Sequence, residues 1–110
     1  MDKNQAIEAL SALAQDRRLD IFRLLVSVGE SGLQAGEISA RTGCLQNTTS
    51  GNLAVLSRAR LITAEREGRN IRYRADFAVA GALIGYLLED CCNGRAEVCA
   101  PVLEKLECLN

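Results

Sequence analysis

The chain has 110 residues, 48% of them hydrophobic and 25% charged, with one proline and a net charge of −1. That length fits one domain, and the composition excludes a disordered or collagen-like chain. Five cysteines stand beside no histidine, which excludes Ser-His-Asp catalysis, Cys-His nucleophiles, two-histidine zinc sites and histidine pH switching. Soft-metal chemistry is left to thiols.

Met1 to Gln5 is polar and leads into an amphipathic pattern, so no secretory signal is expected. The most apolar uncharged run, Phe77 to Leu88, falls far short of the roughly 20 apolar residues of a membrane span. A cytoplasmic protein with reduced thiols and no membrane contact is expected. An odd cysteine count also fits a closed disulfide framework poorly. No Cys-x-x-Cys pair occurs, and no arginine stands six positions after a cysteine. Thioredoxin-type and thiol-phosphatase chemistry are thereby removed. The chain is not expected to be an enzyme, and no organic cofactor is expected.

Ala6, Ile7, Leu10, Leu13 and Ala14 recur at helical spacing. Asp16 reads as the N-cap of a second helix carrying Leu19, Ile21, Phe22, Leu24, Leu25 and Val26, which Gly29, Ser31 and Gly32 end. A short helix follows over about 36–42, with Ile38 inward and Gly43 as its stop. Asn47 reads as the local cap of the next helix, which runs to about Ala59 with Leu53 and Leu56 inward. The period then changes. Residues 61–66 and 70–74 read as two strands joined by Glu67-Gly68-Arg69. A long helix after Asp76 carries the apolar stripe Ala80, Leu83, Ile84, Leu87, Leu88 and Cys91. Asn93-Gly94 signals a turn, and Pro101 opens a last short helix ending near Glu107. A short helix, a glycine turn, a second helix and a hairpin make a winged helix-turn-helix. The fold class is mainly α with a β-hairpin wing. It forms one domain over 1–110, with a recognition helix at about 46–59 and a wing at about 61–75.

Residues 46–52, Gln46-Asn47-Thr48-Thr49-Ser50-Gly51-Asn52, carry no charge and almost only hydrogen-bonding side chains. Gln and Asn pair bidentately with adenine edges, Ser and Thr with several bases, and the threonine methyl meets the thymine methyl. Taken alone, the stretch reads equally as a solvated helix start rich in capping residues. Charge decides between the two. Residues 1–40 carry net −2 and residues 75–110 net −4, whereas residues 41–74 carry net +5. The seven arginines there are Arg41, Arg58, Arg60, Arg66, Arg69, Arg72 and Arg74. Positive charge gathered on the helix and hairpin is the footprint of phosphate contact. Gln46, Asn47, Thr48, Thr49, Ser50 and Asn52 are the expected base-reading set. Arg66, Arg69 and Arg72 are the expected backbone or minor-groove set. The expected partner is double-stranded operator DNA.

Three motifs together resemble the ArsR/SmtB family of winged-helix metalloregulatory repressors, over nearly the whole chain. They are Leu10-Ser11-Ala12-Leu13-Ala14-Gln15-Asp16-Arg17-Arg18-Leu19 followed by Ile21 and Leu24-Leu25, Gln46-x-Thr48-Thr49-Ser50-x-Asn52-Leu53-x-x-Leu56-x-x-Ala59-x-Leu61-Ile62, and Arg66-Glu67-Gly68-Arg69 with Tyr73. The family commonly has histidine where Asn52 stands and glycine where Arg60 stands. The resemblance implies a homodimer paired through its first and last long helices. A short chain with a modest core and an unusually apolar last helix agrees with that. It also implies a dimerisation and sensor region over about 77–108.

Cys91 and Cys92 end the long helix, and the Asn93-Gly94 turn lets Cys99 return over them. Three thiolates converging from one side suit a pyramidal As(III) or Sb(III) centre, and soft thiolates select soft ions. A helix C-terminus with Glu89, Asp90 and Glu97 nearby disfavours free thiolate charge, whereas a tris-thiolate arsenite site is neutral. The trio resembles the sites of arsenic-responsive family members, which makes As(III) or Sb(III) the expected inducer. Plain packing of Cys91, a zinc site that includes Cys108, and a thiol-redox or reactive-sulfur sensor using the same cysteines stand as alternatives. Cys44, in the turn before the recognition helix, reads as a small buried residue.

Overall fold

The computed structural model describes residues 1–89 of the chain. The sequence reading of the Asn93-Gly94 turn, of the helix at Pro101, and of Cys91, Cys92, Cys99 and Cys108 falls outside the described residues.

Helix α1 (Lys3–Leu13) starts with a reciprocal cap. Asp2 accepts the Gln5 N–H at 2.8 Å, and the Gln5 side chain accepts the Asp2 N–H at 2.9 Å. The helix buries only small residues, Ala6, Ala9 and Ala12, and leaves Ile7 and Leu10 exposed. Helix α2 (Asp16–Val28) is capped by Gln15, not by the expected Asp16. The Gln15 side chain accepts the Arg18 N–H at 2.9 Å. Asp16 instead lies inside the first turn, where its charge suits the positive end of the helix. A 3-10 turn over Gly29–Ser31 then leads through Gly32 into a strand that the sequence reading did not contain, β1 (Leu33–Gln34).

Helix α3 (Ala35–Thr42) stops at Gly43, whose φ of 72° is the left-handed conformation expected there. Helix α4 (Gln46–Arg58) follows after three residues. Strands β2 (Ile62–Glu67) and β3 (Asn70–Ala75) form the wing. They pair antiparallel, Ile62 opposite Ala75 and Glu67 opposite Asn70. β1 adds to the other side of β3, Leu33 opposite Tyr73, so the sheet order is β1-β3-β2. The expected two-stranded hairpin is therefore a three-stranded sheet, and its third strand ties the wing to the helical body. Helix α5 (Phe77–Leu88) begins at Asp76, whose carboxylate accepts the Val79 N–H at 3.1 Å. The core lies between the helices and the base of the wing: Ile21, Leu25, Ile38, Leu53, Leu56 and Leu61 are its largest apolar members.

The end of α4 closes with a Schellman pattern, Leu61 N–H to the Leu56 carbonyl at 3.1 Å and Arg60 N–H to the Ser57 carbonyl at 3.0 Å. That pattern places Arg60 at φ 66°, the one non-glycine residue with positive φ among the described residues. The departure from glycine at this position thus carries backbone strain. Arg60→Gly is expected to raise stability by about 0.5–1 kcal/mol, the left-handed penalty less the entropy of an added glycine. Thermal unfolding reads this directly, and an unchanged or lower Tm contradicts it.

Candidate nucleic-acid interface

Helix α4 turns one face to the core and one to solvent. Thr49, Asn52, Leu53 and Leu56 are buried, and Gln46, Asn47, Thr48, Ser50, Gly51, Ala54 and Arg58 are exposed. A polar cleft of about 410 Å³ connects this helix start with the wing, lined by Gln34, Ser39, Gln46, Ser50, Arg69 and Tyr73 among others. The recognition helix and the wing tip therefore share one concave surface.

The N-terminal end of α4 has no side-chain cap. Its N-cap residue is Leu45, and the expected cap Asn47 lies within the first turn with its side chain exposed. Gln46, Asn47, Thr48 and Ser50 accordingly offer free amide and hydroxyl groups to a ligand.

Two members of the expected base-reading set, Thr49 and Asn52, lie buried in the free chain. Thr49 is 0% exposed, and its hydroxyl accepts a hydrogen bond from the Ser39 hydroxyl at 2.8 Å. It fastens α3 to α4 inside the helix-turn-helix. Asn52 is also buried, with its side-chain oxygen 3.5 Å from the Arg18 guanidinium. Arg18 in turn donates to the Ala12 carbonyl at 2.6 Å, so the pair ties the end of α1 to the recognition helix. No buried side-chain nitrogen or oxygen among the described residues lacks a partner. Thr49→Val strands the Ser39 hydroxyl and is expected to cost about 1–3 kcal/mol. The double variant Ser39→Ala, Thr49→Val is expected to cost less than the single one, because no buried donor is left unpaired. Denaturant titration of the two variants checks this. Thr49→Val with unaltered stability contradicts it.

The arginines divide in the same way. Arg72 donates from Nε to both Glu67 oxygens at 3.0 Å, and from Nη1 to the Ser31 and Gly32 carbonyls at 3.0 and 3.3 Å. Hydrogen bonding to Arg72 holds the Glu67 carboxyl below its usual range and raises the Arg72 guanidinium above its own. Arg74 reaches the Glu30 carbonyl at 2.7 Å and Glu65 at 3.4 Å. Arg72 thus serves as a wing anchor. The two wing glutamates are matched by these two arginines. Arg41, Arg58, Arg60, Arg66 and Arg69 are exposed and form no ion pair among the described residues, so the excess positive charge of this segment faces solvent.

Cys44 is half-buried, not buried as its position in the turn suggested. Its sulfur accepts from the Arg17 guanidinium at 2.9 Å. Hydrogen bonding with Thr42, and after it with Arg17, holds the thiol below its ordinary range. Nothing in the sequence spacing brings residues 17 and 44 together, since the contact depends on α2 packing against the turn. Among the described residues no three His, Cys, Asp or Glu side chains cluster as a metal site, and no helix is long and apolar enough to cross a membrane.

No protein-family model matches the chain. The chain is 30% identical over 95 residues to YbzH of Bacillus subtilis (strain 168), an uncharacterized HTH-type transcriptional regulator, covering 76% of this chain and 95% of that one. Among solved structures it is similar to the homodimeric winged helix-turn-helix DNA-binding domain Mb0332 of Mycobacterium bovis, a possible ArsR-family transcriptional regulator. That match has 32% identity and a TM-score of 0.63, over 79% of this chain and 81% of the other. It is also similar to AntR, an antimony-specific transcriptional repressor, at 29% identity and a TM-score of 0.62, over 84% and 83% of the two chains. The fold, the helix-turn-helix and these likenesses agree: the chain belongs to the ArsR family of winged helix-turn-helix transcriptional regulators.

Proposed function

We propose that the chain is a repressor that occupies operator DNA as a homodimer and is released when As(III) or Sb(III) binds Cys91, Cys92 and Cys99. The observation that carries the DNA half is the exposed, uncharged start of α4 beside five arginines that form no ion pair among the described residues. Dimerisation draws support from the apolar residues that α1 and α5 leave in water. Ile7, Phe77 and Leu87 are each 51% exposed, more than a monomer of this size has reason to leave uncovered. A twofold dimer sets its recognition helices one DNA turn apart, about 34–36 Å.

The inducer half rests on thiol chemistry. Three thiols displace three hydroxyls of arsenous acid as water, leaving a neutral As–S₃ centre. Antimony recognition by the related AntR supports a metalloid over zinc. The coupling between inducer and DNA is expected to be about 1–3 kcal/mol, a 5–150-fold loss of affinity. The test is a fluorescence titration of the reduced protein on its own promoter with arsenite, antimonite, zinc and cadmium. Release by arsenite or antimonite, abolished in the Cys92→Ser, Cys99→Ser double variant, is expected. Arsenite and antimonite that leave the complex intact sink the inducer assignment. Release by peroxide or polysulfide instead would reassign the same cysteines to redox sensing.

A further inference from the structure

Leu45 is the most exposed large apolar side chain of the described residues, at 79%. It occupies the N-cap of the recognition helix, where Ser, Thr, Asn or Asp ordinarily accepts a hydrogen bond from the first turn. Leucine accepts none, and α4 has no side-chain cap. This position therefore forgoes two stabilising contributions, a cap and the burial of an isobutyl group. A lone exposed leucine needs no explanation on a random surface. Here it coincides with an abandoned cap, at the end of the helix that enters the groove. Its exposed neighbours Gln46, Asn47, Thr48 and Ser50 are all hydrogen-bonding. Within residues 45–50 Leu45 is the one wholly apolar side chain.

The major groove offers one apolar group for such a side chain, the thymine C5-methyl. We infer that Leu45 is a specificity-determining residue that packs on a thymine methyl at one position of each operator half-site. The inference rests on the operator-binding function proposed above and adds to it a base preference that hydrogen bonding alone does not supply. Gln46 and Asn47 can pair with adenine edges, whereas Leu45 selects thymine over cytosine through the methyl.

The test uses the full-length protein on its own promoter, after footprinting has located the half-sites. Each thymine in turn is replaced by deoxyuridine, which removes only the methyl. One position per half-site is expected to lose about fourfold in affinity, the value of one buried methyl group. Leu45→Ser gains a cap, so it is expected to fold at least as well as the parent, and its melting temperature checks this. That variant is expected to bind thymine and deoxyuridine operators equally. A wild-type protein indifferent to every methyl overturns the inference, although binding itself remains. A methyl-sensitive position that survives in Leu45→Ser overturns it too and moves the contact to Thr48. Absence of any promoter binding overturns the operator function together with this inference.

Discussion

Replacing Arg66 and Arg69 together by alanine is expected to weaken binding to the chain's own promoter by about two to three orders of magnitude near 0.15 M salt. Both side chains lie at the wing tip, exposed and outside any ion pair among the described residues. The proposed homodimer would present them twice, so up to four phosphates lose their neutralising partners. Each neutralised phosphate contributes about 0.9 to the slope of log affinity against log salt concentration, so the slope is expected to shallow by about 3.6. The measurement is fluorescence anisotropy of a labelled promoter fragment across a salt series. Weaker binding with an unaltered slope contradicts the assignment, because loss of a folded wing lowers affinity without removing counterion release selectively. Arg72→Ala is the matched control. Its guanidinium already serves Glu67 and two backbone carbonyls, so its loss is expected to appear mainly in thermal stability. The sign of the net charge is no guide to any of this. A chain at −1 overall still presents a positive surface, because acidic side chains are concentrated outside residues 41–74.

The parts of the fold legible in the sequence are those set by local periodicity and local chemistry. The apolar spacing within α2 and α4, the glycine stop after α3, the start of the last long helix after Asp76 and the change of period at residue 61 are all contained in short windows. What escaped depends on contacts between distant segments. β1 is two residues long and has no period. It exists because the chain leaving Gly32 runs alongside β3. Thr49 and Asn52 carry the residue types that read bases, and nothing local separates them from Gln46 or Ser50. Helical geometry separates them: Thr49, Asn52 and Leu53 share the face that Leu56 buries. Arg72 likewise resembles Arg69 in sequence, and only the folded hairpin, which brings Glu67 within 3.0 Å of its guanidinium, with the Ser31 and Gly32 carbonyls adjacent, makes it an anchor. The sequence therefore locates the interface as a segment, and three-dimensional packing decides which of its side chains face outward.

Gly32→Ala is expected to detach the wing from the body, at a cost of about 3 kcal/mol or more. Gly32 has φ 60° and ψ −176°, a region of backbone conformation reserved almost wholly for glycine. A Cβ built there stands 2.5 Å from the Tyr73 carbonyl oxygen and 2.7 Å from the Arg74 Cγ. The carbonyl belongs to β3, opposite Leu33, so it cannot yield without parting β1 from β3. The adjoining backbone is also where the wing arginines dock, through the Glu30, Ser31 and Gly32 carbonyls. Gly29 supplies the comparison, because its φ is 64° but a Cβ there meets nothing within 4 Å. Gly29→Ala therefore bears backbone strain alone, about 1–3 kcal/mol, whereas Gly32→Ala adds a collision with backbone. Against a total stability of about 5–15 kcal/mol for a domain of this kind, the second change removes a large share. Urea unfolding of both variants measures the difference, and promoter binding below the unfolding transition measures its consequence. Gly32→Ala is expected to bind more weakly than Gly29→Ala even where both are folded, because its Arg66 and Arg69 no longer hang from an anchored strand. Equal stability and equal binding of the two variants is the result that contradicts a wing held in place through Gly32.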